Sequence, residues 1–336
     1  MASKRGTLLT TVKDFPASAA QQLAAVWITT AEEFASAAGQ TGGIISLAQQ
    51  LGVDSNAVNT LFTAVRAVLP EGVAFDDENV EVALGALPAE SVAERGDEPA
   101  AFAQLPPQVD LHSKMPPVRN QGGRGTCVAH ATAAVREYLL GDQSTNSNLS
   151  EQFIYWACKQ RDGYPGGGTY IRIAMNVLHD LGVCAETVWP YNGEQIANNE
   201  GQGPPPDNAL TEATANRIVH FTPLNATSVD ALRGALAAGS PIAFSVNVFE
   251  SCQRPYIFRN ADLHIPLPGE RKLGGHAMCM VGYADDPEVP GGGYFIVRNS
   301  WGEAFGYDGE VDGGYCRIPY AYLQRYGMEA YAAYLT

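Results

Sequence analysis

The chain is short of positive charge. It carries 21 Lys and Arg against 36 Asp and Glu over 336 residues, a net charge of −15. Between Asp14 and Glu94 the only basic residue is Arg66. Binding to phosphate backbones needs clustered Lys and Arg, so this balance disfavours it and no nucleic-acid partner is expected. No run of eighteen apolar residues occurs, so no membrane-spanning helix and no membrane partner are expected. An early Lys4-Arg5 pair precedes an apolar stretch too short and too polar for a signal peptide. The expectation is cytoplasmic residence or export by a non-classical route. Six cysteines, at 127, 158, 184, 252, 279 and 316, form no CxxC pair and no zinc spacing. No metal or cofactor is expected. Cys279 and Cys316 lie in apolar, strand-like runs and read as buried thiols, while Cys158, Cys184 and Cys252 leave room for one disulfide. A hydrophobic content of 46% fits a globular chain with a large core.

What is there is a candidate nucleophile. Gln121-Gly122-Gly123-Arg124-Gly125-Thr126-Cys127 opens an Ala-rich helical segment, Val128 to Leu140. A helix N-terminus favours an anion, and the thiolate is the reactive form of cysteine. Glycines let backbone N–H groups approach a substrate carbonyl, and the Gln121 amide supplies a second donor to the same oxygen. A bland reading competes, because an unpaired cysteine is often a small buried hydrophobe. Downstream residues decide between them. Gly274-Gly275-His276 runs into an apolar strand, Ala277 to Tyr283, and offers a base. A second short strand, Tyr294 to Val297, leads to Asn299-Ser300-Trp301-Gly302. Asn299 can fix the imidazole tautomer and Trp301 can shield that bond from water. His276 follows Cys127 by 149 residues and Asn299 follows His276 by 23.

Gln, Cys, His and Asn-Ser-Trp-Gly in this order resemble the papain-like cysteine peptidases. Pro107-Gln108-Val109-Asp110-Leu111, Pro117-Val118-Arg119-Asn120-Gln121, Leu149-Ser150-Glu151-Gln152, Trp189-Pro190-Tyr191 and Gly313-Gly314-Tyr315-Cys316-Arg317-Ile318 extend the likeness from about Pro106 to the C-terminus. It implies an α+β fold of two lobes, one helical and one β-barrel-like. It implies catalysis by Cys127, His276, Asn299 and Gln121 on a peptide or protein substrate. It also implies substrate contacts at Gly166, Gly167 and Gly168, at Gly275, which would leave a roomy, uncharged pocket, and at Trp301. The family usually has cysteine, in a disulfide, where Arg124 stands, tryptophan in place of Val128, and an aromatic in place of His130. Gly-Thr-Cys-Val-Ala looks more like a bacterial branch of the family. His130 reads as a packed residue beneath the site. His112, His179, His220 and His264 read as structural or exposed.

Three regions follow. Residues 1–70 read as short helices: Ala19 to Ile28, one opened by the capping-box spacing of Thr30-Ala31-Glu32-Glu33, Ile44 to Leu51, and one from Asp54 or Ser55 to about Leu69. A plain helical bundle is favoured over tandem helix-hairpin-helix units. Residues 71–105 read as an acidic linker or a cleft-blocking segment, with nine carboxylates and Arg95 between 71 and 98. Residues 106–336 form the peptidase domain. The family is commonly made as zymogens whose prosegment crosses the cleft backwards. One reading is therefore an endopeptidase with an unusual inhibitory prosegment, in which 71–104 fills the cleft. In the other, residues 17–69 are an adaptor on a constitutively active peptidase. An inactive scaffold and a thioester acyl transferase of the same fold are the remaining alternatives. The sequence leaves oligomeric state open.

Overall fold

The computed structural model describes residues 4–70, 79–88, 105–141 and 148–334. Four helices come first: α1 (Ala17–Ala24), α2 (Ala31–Gly39), α3 (Gly43–Leu51) and α4 (Ser55–Arg66). Thr30 caps α2 by accepting from the Glu33 N–H while the Glu33 carboxylate reaches back to the Thr30 N–H. This is the reciprocal bonding that the Thr-Ala-Glu-Glu spacing predicts. The Asp54 side chain caps α4 through the Ala57 N–H, and Gly52 ends α3 in the left-handed region.

The rest of the chain is mixed. A short strand β1 (Gln108–Asp110) precedes α5 (Cys127–Leu140), α6 (Glu151–Lys159), α7 (Ile171–Asp180) and α8 (Ala209–Ala213). Then come β2 (His220–Pro223), α9 (Val229–Ala237), β3 (Ile242–Phe249), α10 (Pro255–Asn260), β4 (Lys272–Asp285), β5 (Gly293–Arg298), β6 (Tyr315–Pro319), α11 (Tyr320–Tyr326) and β7 (Gly327–Tyr334). The strands form one antiparallel sheet in the order β2-β7-β3-β4-β5-β6, with β1 paired to β4. Every residue from Cys127 to Glu137 is buried. Alanine predominates there, and small side chains let this helix lie close against α6, α7 and β4. The α+β fold with a helical half, a sheet half and a helical N-terminal region is the one the resemblance implies.

Two hydrophobic clusters form the core. One joins α5–α7 to the sheet. The other lies within residues 9–65 but is completed by Ile265 and Leu267 from the loop before β4. The N-terminal helices are thus built against that loop, and the Ile265 N–H donates to the Val26 carbonyl at 3.1 Å. Trp27 stacks on Tyr294 of β5, with the Lys4 ammonium 4.0 Å from its ring.

One expectation needs correction. All six cysteines are unpaired, so no disulfide joins Cys158, Cys184 or Cys252. Residues 79–88, within the stretch that reads as an acidic linker or a cleft-blocking segment, are laid along the cleft between Gln253, Gln121 and Thr169. Residues 71–78 and 89–104 lie outside the described residues. No helix among the described residues is long and apolar enough to cross a membrane.

Candidate active site

Cys127 begins α5 and is fully buried. The first residues of β4 pass beside it, and the Ala277 N–H donates to its sulfur at 3.4 Å. His276 sits one residue earlier on β4. Its Nε2–H donates to Asn299 Oδ1 at 2.7 Å, and the Ser300 N–H donates to the same oxygen at 2.8 Å. Flipping the Asn299 amide would lose both bonds, which fixes its orientation. The tautomer follows: Nδ1 carries no proton and is the basic nitrogen, and it makes no hydrogen bond among the described residues. Trp301 stacks on the imidazole with centroids 4.5 Å apart and planes 20° apart, and Phe305 meets Trp301 edge-on at 5.2 Å.

Gln121 is fully buried and held from three sides. Its Oε1 accepts from Ser300 Oγ at 2.6 Å, its backbone carbonyl accepts from Tyr191 Oη at 2.7 Å, and its N–H donates to the Ser300 carbonyl. The amide nitrogen therefore faces the cleft, where Nε2 donates to the Ala83 carbonyl at 3.1 Å and to the Arg124 carbonyl at 2.8 Å. Trp301 Nε1 reaches the same Ala83 oxygen at 3.4 Å.

Ala83 belongs to the segment in the cleft. The Val80 N–H donates to the Gln253 carbonyl at one end. At the other, the Leu87 N–H donates to the Thr169 carbonyl and the Thr169 N–H to the Gly85 carbonyl, each at 2.9 Å. The Gly85 and Ala86 N–H groups share the Gly275 carbonyl. A Cβ on Gly85 would stand 2.0 Å from the Gly125 carbonyl oxygen, and one on Gly275 would stand 2.1 Å from that of Ala86. Both contacts are impossible, so backbone slides directly on backbone here. The Gly85 N–H, bonded to Gly275, also lies near enough to the Cys127 sulfur to favour its charged form. That sulfur meets the Ala277 N–H, while the segment's carbonyl bonded to the Gln121 amide, Ala83, is two residues upstream of Gly85.

Burial sets the electrostatics. Desolvation pushes the Cys127 thiol up to about 11, against the smaller lowering effect of the N–H groups of Ala277 and Gly85. Desolvation likewise lowers His276 to about 4, with the Asn299 bond opposing. The pair is neutral at pH 7 with the segment seated, not the thiolate–imidazolium pair that nucleophilic catalysis calls for. His130 is buried under the site, its ring bonded to the Thr126 carbonyl and edge-on to Tyr191. This is the packing role read from sequence. His264 is buried, and His112, His179 and His220 lie apart from the site near Asp312, Asp180 and Thr222. Among the described residues no group of three or more His, Cys, Asp or Glu is arranged for a metal ion.

Cys127, His276, Asn299, Gln121 and Trp301 are thus brought together. Gly275 meets the cleft segment through its carbonyl and lies 3.1 Å, at the Cβ position, from the methyl of Met328. Of Gly166, Gly167 and Gly168, only Gly168 packs against the segment, and the pairing atoms belong to Thr169. Nothing in the sequence singles out Thr169, because a backbone role leaves the side chain unmarked. Ser300 was legible within Asn-Ser-Trp-Gly, although its bond to Gln121 joins residues 179 apart.

The family model for papain family cysteine proteases matches residues 105–336. An uncharacterized peptidase C1-like protein of Acanthamoeba polyphaga mimivirus is 28% identical over 215 residues, 61% of this chain and 64% of that protein. Human cathepsin L2 is 28% identical over 216 residues, 62% of this chain and 61% of cathepsin L2. The chain thus spans a little under two thirds of the length of these curated relatives. The crystal structure of xylellain, a cysteine protease from Xylella fastidiosa, superposes with a TM-score of 0.64 at 27% identity, covering 77% of this chain and 98% of xylellain. A digestive procathepsin L2 proteinase from Tenebrio molitor larval midgut, 19% identical with a TM-score of 0.57, shares the fold over 75% of this chain and 78% of its own. A family match across more than two thirds of the chain, over the same cleft that holds these side chains, means that the chain belongs to the papain family of cysteine proteases.

Proposed function

We propose that the protein is a cysteine endopeptidase made in a latent form, with residues 79–88 as the blocking segment of an N-terminal prosegment. The observation that carries this is the Ala83 carbonyl held by the Gln121 amide, in a segment that crosses the cleft on hydrogen bonds to Gly275 and Thr169. The strand enters on the Gln121 and Trp301 side and leaves along Thr169, pairing Ala86 with Thr169 in the parallel sense. This is the backward passage that the resemblance associates with a prosegment. It favours the zymogen over the adaptor reading. Hydrogen bonds at Gln253 and Thr169, on either side of Cys127, mean that a chain can pass right through, which supports endo- over exopeptidase action. The Gly-Thr-Cys-Val-Ala opening of α5 supports a bacterial-type branch.

With the cleft open to substrate, His276 Nδ1 takes the Cys127 proton and the thiolate attacks the scissile carbonyl carbon. The Cys127 N–H and the Gln121 amide hold the oxyanion; losing one such donor costs roughly 2.7–4 kcal/mol. The imidazolium gives its proton to the leaving amine, and a thioester remains. Water, deprotonated by His276, hydrolyses the thioester and regenerates the thiol.

Cys127→Ala is expected to abolish peptide hydrolysis and labelling by an epoxysuccinyl thiol-protease inhibitor. Asn299→Ala is expected to weaken hydrolysis without removing it. Full hydrolysis by the Cys127→Ala protein would sink the assignment. N-terminal sequencing of the active species tests latency: a new terminus between about Gly96 and Asp110 is expected, and full activity of the uncut chain would favour the adaptor.

A further inference from the structure

The Gly166–Gly168 arch precedes Thr169, whose N–H and C=O are the pair that grips the strand in the cleft. Three glycines in a row order at a high entropic cost, and Gly163 and Gly168 both adopt positive φ (65° and 97°). Something must hold this backbone. The family's usual disulfide beside the nucleophile is absent, since Arg124 takes that cysteine's place and all six cysteines are unpaired.

Lys159, at the end of α6, reaches under the arch. Its Nζ donates to the carbonyls of Tyr164 at 2.7 Å, Gly166 at 2.9 Å and Gly168 at 3.1 Å. An ammonium has three N–H groups, and these three bonds use them all. The Asp162 carboxylate, 3.0 Å from Nζ, balances the charge and accepts from the Tyr164 N–H. The lysine side chain is only 6% exposed, so the charge is buried with its partners. The Gly168 N–H donates to Tyr155 Oη at 2.9 Å, and that hydroxyl donates in turn to Glu200 Oε1 at 2.6 Å. Both polar atoms of Gly168 are thereby turned away from the cleft. The next residue, Thr169, presents both of its own to it.

We propose that Lys159 is a positioning residue for substrate: its ammonium, helped by the Tyr155 hydroxyl, sets the glycine arch so that the Thr169 N–H and C=O stand ready to pair with an extended peptide backbone. A tetrahedral ammonium suits three converging carbonyls, and a planar guanidinium does not. The inference rests on the peptidase reading in one respect, that substrate takes the place now held by residues 85–87.

The test uses the intact chain and two variants, Lys159→Gln and Tyr155→Phe. Amide hydrogen exchange reads the pairing without any need for activity. In Lys159→Gln, exchange at Thr169 and Leu87 is expected to quicken by about tenfold or more, with the Leu111 amide, bonded to Val281 in another part of the sheet, unchanged. Tyr155→Phe, which deletes one oxygen, is expected to act in the same direction and decides the matter if Lys159→Gln does not fold. Unchanged exchange at Thr169, or equal quickening at Leu111, overturns the proposal. In the active enzyme, Lys159→Gln is expected to raise KM for substrates with two or more residues on the acyl side while leaving kcat nearly unchanged. A fall in kcat at constant KM overturns it as well. A wild-type chain that never hydrolyses peptide defeats the peptidase reading and leaves hydrogen exchange to decide this one.

Discussion

Cys127 occupies the first position of a helix, where partial positive charge favours a thiolate by about 0.3–1 kcal/mol, up to ~2 in partly buried geometry. Burial acts against it. Raising the thiol from 9 to about 11 corresponds to roughly 3 kcal/mol, so desolvation wins while the cleft is filled. In the intact chain, iodoacetamide is therefore expected to alkylate Cys127 about a hundredfold more slowly at pH 7 than an ordinary cysteine, with the rate climbing until about pH 11. A rate that levels off near neutrality would mean that the ion pair already exists with the segment in place. Arg124 is the other residue whose surroundings decide its meaning. Its guanidinium donates to Gln152 Oε1 and to the carbonyls of Asn192 and Glu200, with the rings of Tyr155 and Tyr191 within 5.5 Å. It ties α5's approach to α6 and to the 192–200 loop without a covalent bond. Arg124→Met is expected to destabilise the chain by ~3 kcal/mol in urea unfolding, since three charge-assisted bonds leave their buried acceptors unpaired. A reductant is expected to leave the wild-type midpoint unchanged. From sequence, Arg124 shows only that the usual cysteine is missing; the acceptors it finds are 28 to 76 residues away.

At the scale of elements, local signals read well. Thr30 to Glu33 marked α2 and Asp54 marked the start of α4, because capping is a matter of three or four adjacent residues. The strands β4 and β5 were visible as apolar runs. The cleft segment was legible only as one of two readings of the 71–104 stretch, and its exact residues were hidden. Residues 79–88 lie in a stretch rich in carboxylates, which reads as solvated linker, and their extended shape comes from bonds to Gly275 and Thr169. The segment's fit depends on Gly85, where a Cβ would collide with the Gly125 carbonyl. Gly85→Ala is expected to dislodge the strand and speed epoxysuccinyl labelling of Cys127 in the intact chain by about tenfold or more. Equal labelling of variant and wild type would show that this strand is not what bars the cleft.

For the whole molecule, pH dependence is a sum over buried groups. His130 and His276 are lowered by burial to about 3 and about 4, and His264 is also well below its usual range. The folded chain refuses protons that the unfolded chain accepts below about 6.5, so each histidine costs stability as pH falls through that window, until its folded value is reached. Glu137 and Glu186 act oppositely. Burial raises both to about 7 from 4.5, so their contribution grows as pH falls from 7 and is complete below 4.5. The two trends offset each other between pH 6.5 and 4.5, and only the histidine loss continues below. With Glu151 also raised by burial, stability is expected to rise slightly from pH 7 to 6.5, change little to about 4.5 and fall steeply from there to about 4, on the order of 1 kcal/mol per pH unit for each histidine still in its window. Urea midpoints measured from pH 7 to 4 check this; a constant slope throughout would remove the carboxyl contribution.

The sequence by itself determined the chemistry. A thiol, an imidazole, an amide behind it and a second amide before it are residue types in a fixed order, and they carry their reactivity wherever they stand. It also determined the helical start and the two strands that bring His276 and Asn299 to the thiol. Tertiary structure alone decided that Thr169 and not the glycines pairs with the strand, that Lys159 sets the arch, that Ile265 and Leu267 complete the N-terminal core, and that the thiol is neutral while the cleft is filled. Each of these depends on contacts between distant residues or on the exclusion of water, and neither is written in a local run of residues.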